Sequence, residues 1–184
     1  MAIRGVPSVS DRSVRAHIVR RNRERDSARA EPSDRERWTM TATGLDVFDS
    51  TIQQTNAWLK EIGEELHWED RRRAYLALRG TLHALRDYLV PDEAAHLAAQ
   101  LPLLVRGVFY EGWDPSRTPA TDRGRDDFLS RVAAEFARAD PTVDPVRVAR
   151  TVLRVLSAHV TAGEIDDVRQ SLPKDVRAVW PEAA

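Results

Sequence analysis

Two stretches of this chain, residues 73–109 and 144–180, carry the same pattern at a constant offset of 71 residues. Nine residues of the first stretch recur unchanged in the second. The matched pairs are Arg79 and Arg150, Leu82 and Leu153, Leu85 and Leu156, Glu93 and Glu164, Leu101 and Leu172, Pro102 and Pro173, Val105 and Val176, Arg106 and Arg177, and Val108 and Val179. Self-similarity at a fixed offset is typical of a supersecondary module used more than once. We therefore interpret the chain as an internal duplication.

The apolar residues of the first half recur at helical spacing. After Gly44, an apolar stripe predicts a helix that ends near Leu66. This stripe comprises Leu45, Phe48, Ile52, Leu59, Ile62 and Leu66. Asp70 is a favourable N-terminal cap for a second helix, which runs to Val90. The predicted buried stripe of that helix comprises Ala74, Leu78, Leu82, Leu85 and Leu89.

Proline residues predict how each half continues. Pro91 begins a short third helix that runs through Gln100. Pro102 opens a fourth that runs to about Tyr110, because proline is well tolerated at the first helical position. The second half repeats this order. Its predicted elements are a helix containing Phe128, Val132 and Phe136, a long helix from Pro145 to about Val160, a turn at residues 161–163, a short helix from Glu164, and a last helix opened by Leu172-Pro173 that runs to Trp180. Because no segment alternates as a strand does, we predict an all-α fold.

The predicted organisation has four parts. They are an arginine-rich tail at residues 1–43, a first helical module at 44–110, a linking loop at 111–121 and a second helical module at 122–184. The link contains one glycine and two prolines, so it cannot be a continuous helix. We expect two tandem copies of a roughly four-helix module to pack as one compact helical domain.

The first 37 residues differ in charge from the rest of the chain. They hold ten arginines and six acidic residues, whereas the remainder holds 18 basic and 23 acidic residues. Because apolar residues are sparse there, we predict a flexible tail. We interpret residues 1–39 as a solvated extension, or as upstream sequence ahead of a start at Met40. The alternative is a basic arm that contacts phosphate. A chain that begins at Met40 is expected to fold as stably as the full chain.

The composition excludes several kinds of chemistry. There is no cysteine, which excludes disulfides, thiolate nucleophiles and cysteine metal ligands. The sequence has no signal-peptide core and no apolar run that could span a bilayer, so we expect a soluble, cytoplasmic protein without a membrane partner. Only Lys60 and Lys174 are lysines, a bias typical of a GC-rich genome. With no nucleophile elbow and no glycine-rich phosphate loop, we predict neither enzyme activity nor a cofactor.

Several phrases of the sequence together resemble a known prokaryotic family. The phrases are Val47-Phe48-Asp49, Trp58-Leu59-Lys60-Glu61-Ile62, Ala74-Tyr75-Leu76-Ala77-Leu78-Arg79, Ala99-Gln100-Leu101-Pro102, Val105-Arg106-Gly107 and Tyr110-Glu111-Gly112-Trp113-Asp114-Pro115. In this order they are similar to the family named domain of unknown function 2267, over residues 44–181. The resemblance implies a small helical bacterial protein. It carries over no activity and no catalytic residues.

A metal site is the sharpest chemical alternative. Glu64 and His67, and likewise Glu93 and His96, are three residues apart and therefore share a helix face. Two such pairs with two further glutamates form the di-iron sites of ferritin-like bundles. These pairs, however, lie at predicted helix ends, and the second half has Asp167 where the first has His96. We therefore predict no metal site.

Three charged positions are identical in both halves. They are occupied by Arg79, Glu93 and Arg106 in the first half and by Arg150, Glu164 and Arg177 in the second. We interpret them as a glutamate–arginine clamp within each module, which ties the short helix to its neighbours. The alternative is that the arginines form two equivalent anion-binding sites.

The candidate binding residues lie at the link. Arg106, Tyr110, Trp113 and Asp114 place a guanidinium, two aromatic rings and a carboxylate close together in the sequence. Long irregular loops often carry function, so these residues are a candidate binding surface. The alternative, which we favour, is that Trp113 covers the seam between the two halves.

We predict a non-enzymatic module that binds another protein through its helix faces or through residues 110–121. One alternative is a nucleic-acid-associated protein that uses the arginine-rich tail. Another is a protein that binds a metal or a small ligand through the Glu/His pairs.

Overall fold

The computed structural model describes residues 43–181, which fold into eight α-helices and one 3₁₀ turn without a β-strand. The helices are α1 (Asp46–Leu66), α2 (Arg71–Tyr88), α3 (Pro91–Gln100), α4 (Leu103–Tyr110), α5 (Arg125–Ala134), α6 (Pro145–His159), α7 (Ala162–Ser171) and α8 (Lys174–Arg177), and the 3₁₀ turn is Pro115–Arg117. The all-α prediction is confirmed. No helix in this range combines the length and the apolar character needed to cross a bilayer.

The described part of the chain divides between Asp49 and Ser50 into two units. In the first unit, the backbone N–H and the hydroxyl of Thr43 both donate to a carboxylate oxygen of Asp49, each at 3.0 Å. Apart from Thr43, the predicted tail lies outside the described residues, and so does the predicted start at Met40.

Aspartate residues cap the N-terminal ends of α2 and α6. The carboxylate of Asp70 accepts a hydrogen bond from the backbone N–H of Arg72 at 2.8 Å at the start of α2. Asp144 accepts one from the N–H of Val146 at 2.9 Å at the start of α6. Such caps satisfy N–H groups that have no partner within the helix. The predicted cap at Asp70 is confirmed.

Several predicted boundaries differ from the structure. Pro102 and Pro173 lie just before α4 and α8 rather than inside them. Helix α8 ends at Arg177, so its predicted continuation to Trp180 is wrong. The N–H of Trp180 instead donates to the carbonyl of Arg177 at 3.1 Å, in the tighter pattern of a turn.

The second half contains two smaller differences. Helix α7 already begins at Ala162, so the predicted turn at residues 161–163 is shorter than expected. Phe136 lies beyond the end of α5, because the chain turns after Ala134. Its ring is nevertheless fully buried and lies 5.9 Å from the ring of Trp68.

The buried face of α1 is not the predicted apolar stripe along its whole length. Leu45 and Phe48 are 48% and 43% exposed, whereas Thr51 and Thr55 are buried. Burial of the threonines is possible because their hydroxyls have partners. The hydroxyl of Thr55 donates to the carbonyl of Thr51 at 2.7 Å, and the hydroxyl oxygen of Thr51 accepts from the N–H of Leu104 at 2.9 Å.

The five predicted stripe residues of α2 are all fully buried, which confirms that prediction. Helix α2 packs chiefly against α5, a helix of the other predicted module. The two helices approach closely at Gly80, where an added Cβ would lie 2.8 Å from Cγ of Glu135 and 3.2 Å from the carbonyl oxygen of Val132. Glycine therefore allows this approach.

Helix α1 in turn lies along α6 of the second module. The rings of Trp58 and His159 stack with their centroids 5.0 Å apart, and Nε2 of His159 lies 2.9 Å from a carboxylate oxygen of Glu61. Arg147 donates to the carbonyl of Leu66 at 3.1 Å. Helices α3 and α7 also pack against each other. The two halves are thus interleaved around one hydrophobic core rather than separated into lobes.

Candidate functional site

The aromatic residues of the link face the core. The rings of Tyr110 and Trp113 stack with their centroids 5.2 Å apart, and Phe109 meets Tyr110 edge-on at 5.3 Å. Trp113 is half-buried and packs against the hydrophobic core. Its indole N–H is buried and has no hydrogen-bond partner in the described part of the chain. This arrangement favours a structural role for the ring at the seam.

Arg106 and Asp114 have local partners rather than each other. Arg106 donates to the carbonyls of Ala98, Ala99 and Leu101 at 2.7, 3.0 and 3.2 Å, which lie at the end of α3. The last carbonyls of a helix lack partners within it, and a cation stabilises that end. The structure therefore does not bring Arg106 to the rings of the link.

Asp114 caps the 3₁₀ turn of the link. Its carboxylate accepts hydrogen bonds from the hydroxyl and the N–H of Ser116 at 2.7 and 3.0 Å. These bonds lower the pKa of the Asp114 carboxyl. The carboxylate is thus engaged in shaping the link.

A cleft of about 460 Å³ lies beside the link. Its charged lining residues are Arg86, Asp87, Asp114, Arg117, Asp122 and Arg131. Arg86 is buried and donates to the carbonyl of Phe109 at 2.7 Å and to a carboxylate oxygen of Asp87 at 3.0 Å. With three arginines balanced by three aspartates, this cleft has no strong preference for a cation or an anion.

Among the matched charges, Arg79 is neutralised within the protein. Its Nε donates to Oε2 of Glu111 at 2.8 Å, and its Nη1 donates to Glu135. The hydrogen bond with Glu111 is the main reason why the pKa of Arg79 is raised and that of Glu111 is lowered. One of these carboxylates follows α4, and the other follows α5.

The matched glutamates lie at the contact between α3 and α7. Glu164 accepts a hydrogen bond from the side-chain amide of Gln100 at 3.3 Å. Burial raises the pKa of the Glu164 carboxyl; the charge of His96 opposes this shift and that of Glu93 adds to it. No ion pair within residues 43–181 joins Glu93 or Glu164 to an arginine. The predicted clamp is not formed there, because α3 and α7 turn these glutamates toward each other's helix.

The two Glu/His pairs do not come together as a metal-binding cluster within the described residues. Glu64 pairs with Lys60 at 3.7 Å, and His67 lies beyond the end of α1 with a φ of 58°. Glu64 and His67 therefore do not share a helix face. Among the described residues, no three His, Asp or Glu side chains are grouped to hold a metal ion.

A concentration of charge of one sign lies elsewhere, in a groove formed by α6, α7, α8 and the residues after α8. The groove has a volume of about 610 Å³. We call it the basic groove and define it by its five cations, which are Arg150, Arg154, Arg169, Lys174 and Arg177. Its other lining residues are Ala178, Trp180 and Pro181. No carboxylate of the described residues lines the groove.

Most of these cations are not neutralised by the described residues. Arg154 forms an ion pair with Glu65, but no ion pair joins Arg150, Arg169 or Lys174 to a carboxylate in residues 43–181. Arg150 and Lys174 are exposed, so their charges are available to a ligand.

Two groove residues are held in place by hydrogen bonds. Nη2 of Arg177 donates to the carbonyls of Gln170 and Leu172, each at 3.0 Å. These carbonyls match two of those that Arg106 binds, at the same offset of 71 residues. The indole N–H of Trp180 donates to the hydroxyl of Ser157 at 2.9 Å. The groove therefore has a fixed wall beside its exposed cations.

Sequence reasoning found part of this groove. The internal repeat indicates Arg150 and Arg177, for which anion binding was the alternative to a clamp. It does not indicate Arg154, Arg169 and Lys174, because the first half has no cation at the matching positions. The spacing of Arg150 and Arg154, four residues apart on one helix, was the available signal.

The comparison with protein families identifies the family of this chain. Residues 55–179 match the model described as Uncharacterized conserved protein (DUF2267). The chain belongs to this family. The match covers most of the described range of the DUF2267 protein and includes all five cations of the basic groove, whereas the arginine-rich tail lies outside it. The comparison with curated proteins found no match.

Proposed function

We propose that this DUF2267 protein is a non-catalytic binding protein and that its basic groove binds an anionic segment of another protein. The supporting observation is the convergence of five cations on one groove without a lining carboxylate among the described residues. The formal net charge of the whole chain is −1, so this positive potential is local. A local field of one sign attracts a ligand of the opposite sign to that place.

Several contacts are needed for useful affinity. A single exposed ion pair contributes about 1 kcal/mol or less, because water and salt screen it. Arg150, Arg169 and Lys174 can each add such a contact without first breaking an ion pair with a described carboxylate. Arg177 is pre-oriented by its carbonyl partners, which lowers the entropy lost on binding.

A protein partner suits the groove better than a nucleic acid. Proteins that bind nucleic acid usually present a basic stripe that follows the phosphate backbone over many nucleotides. The five cations here instead line a single groove at the C-terminal end of the described chain. The nucleic-acid alternative depends on the arginine-rich tail, which lies outside the described residues.

We also propose that the two halves arose by internal duplication and that the protein is bacterial and cytoplasmic. Matching ends of α2 and α6, followed by matching starts of α4 and α8, support the internal duplication. The absence of cysteine agrees with a cytoplasmic protein, and the resemblance of the sequence to a prokaryotic family supports a bacterial origin. The balanced cleft and the packed aromatic rings at residues 110–121 make the link the less favoured binding surface.

The test compares charge reversals inside and outside the groove. Arg150→Glu with Lys174→Glu should abolish retention of the protein on an acidic polypeptide such as immobilised polyglutamate. Arg72→Glu with Arg138→Glu is the matched control, since both residues are exposed and neither forms an ion pair in the described chain. Equal retention of the two double variants would contradict the proposal. Retention on DNA in place of polyglutamate would select the nucleic-acid alternative.

A further inference from the structure

We infer that the basic groove recognises carboxylates, and that a ligand carboxylate occupies on Arg150 the place that Glu111 occupies on Arg79. This inference rests on the proposed function and names the chemistry of its ligand. The ligand is accordingly an acidic peptide rich in glutamate or aspartate. The contact between Arg79 and Glu111 in the first half provides the model for this inference. We call Arg79, Leu89, Arg106 and Phe109 the first frame, and the matching residues Arg150, Val160, Arg177 and Trp180 the second frame.

The first and second frames share several backbone and side-chain features. Helices α2 and α6 end at matching C-terminal caps, Leu89 and Val160, with extended backbone at both. Arg79 and Arg150 each lie ten residues before their cap. Phe109 and Trp180 also occupy matching positions, and both are buried aromatic residues.

A second arginine completes each frame. Arg106 donates through Nη2 to the carbonyls of Ala99 and Leu101. Arg177 donates through Nη2 to the carbonyls that match them in the second half, those of Gln170 and Leu172. The two frames therefore have the same local geometry. The carboxylates bound to Arg79 show how an anion satisfies an arginine at this position.

In the first frame the anion is a pair of carboxylates. Glu111 lies 2.8 Å from Nε of Arg79, and Glu135 binds Nη1 of the same guanidinium. A planar guanidinium with several N–H donors suits such double contact. In the second frame no described carboxylate binds Arg150, which lines the basic groove.

The second frame also carries more positive charge. Arg154, Arg169 and Lys174 stand where the first half has His83, Ala98 and Leu103. These three substitutions add cations around the position that two carboxylates fill in the first half. A ligand with several adjacent carboxylates would satisfy this larger set, whereas one carboxylate would leave most of it unpaired.

The experiment measures binding of a fluorescein-labelled oligoglutamate peptide by fluorescence anisotropy. The same series is run with a phosphoserine peptide and a single-stranded oligonucleotide of equal formal charge. Variants are Arg150→Gln and Lys174→Gln, with Arg138→Gln as the control outside the groove. The full chain is used throughout, and each protein is also tested with Glu182→Gln. Glu182 matches Glu111 at the 71-residue offset and lies outside the described residues, so this change removes a carboxylate of the chain that could compete.

The expected result is preference for oligoglutamate, with a loss of about three- to fivefold in affinity for each groove variant and no loss for Arg138→Gln. Preference for the phosphoserine peptide, with the same dependence on Arg150, would overturn the carboxylate inference and leave the proposed protein partner standing. Preference for the oligonucleotide at the groove would overturn both. Binding that is insensitive to Arg150 and Lys174 would also overturn both, because the groove would then not be the site.

Discussion

Arg79 and Arg150 lie at matching positions of α2 and α6, but only Arg79 is bound by carboxylates within residues 43–181. Glu111 and Glu135 neutralise Arg79, whereas Arg150 lines a groove with four other cations. The same sequence position thus stabilises the fold in one half and is available for binding in the other. This difference is the basis of the proposed function.

The first prediction concerns the core of the two halves. Leu82 and Leu153 are buried, with exposures of 0% and 2%, on the long helix of each half. Substitution of either by alanine should reduce the free energy of unfolding by about 2–5 kcal/mol, because it leaves a cavity. Leu103→Ala is the control, because Leu103 is 49% exposed and should change it by less than about 0.5 kcal/mol. Chemical denaturation measures all three. A loss under about 1 kcal/mol at Leu82 or Leu153 would contradict their placement.

The second prediction separates stability from binding at the link. Trp113 packs against the core and stacks on Tyr110, so Trp113→Ala should cost about 3 kcal/mol of unfolding free energy. The affinity of the folded variant for oligoglutamate should stay unchanged, because the basic groove is formed by other helices. Denaturation and anisotropy are measured on the same preparation. An unchanged unfolding midpoint would show that the ring is a surface residue rather than a seal.

The third prediction concerns pH. Burial raises the folded-state pKa of Glu164 above its unfolded value, so ionisation of this carboxyl favours the unfolded state. The native state therefore loses stability as the pH rises through the folded pKa. Glu164→Gln should melt at a higher temperature than the wild type near pH 7, and the difference should shrink toward about pH 3, where the carboxyl is protonated in both states.

Asp166→Asn is the control for this change, because Asp166 is an exposed residue on the same helix. Its melting temperature should follow that of the wild type across the same range. A Glu164→Gln variant that is equally or less stable than the wild type near pH 7 would show that the carboxylate is well accommodated between α3 and α7.

Much of the fold could be predicted from the sequence, because the spacing of apolar residues and the capping residues are local signals. The stripe of α2 and the cap at Asp70 both follow from residues within a few turns of each other. The start of α1 was predicted less well. Thr51 and Thr55 are buried whereas Leu45 and Phe48 are exposed, because both hydroxyls have partners. The Thr51 hydroxyl accepts from the N–H of Leu104 in α4, and the Thr55 hydroxyl donates to the carbonyl of Thr51.

The groove was harder to predict than the helices. Its cations come from α6, α7 and α8, and the packing of those helices is not visible in a linear pattern. Glutamates were expected beside the arginines because both recur in each half. The structure pairs α3 with α7 instead, so Glu164 meets Gln100 while Arg150 is left without a described carboxylate. A repeat indicates which residues correspond, but contacts between the halves decide their partners.

Amide and indole chemical shifts of the isotope-labelled protein show directly whether the basic groove is the binding site. During titration with oligoglutamate, we expect shifts for the backbone amides of Arg150 and Lys174 and for the indole N–H of Trp180, with the indole of Trp113 unchanged. Shifts confined to Trp113 and the surrounding link, with α6 and α8 unaffected, would contradict this expectation.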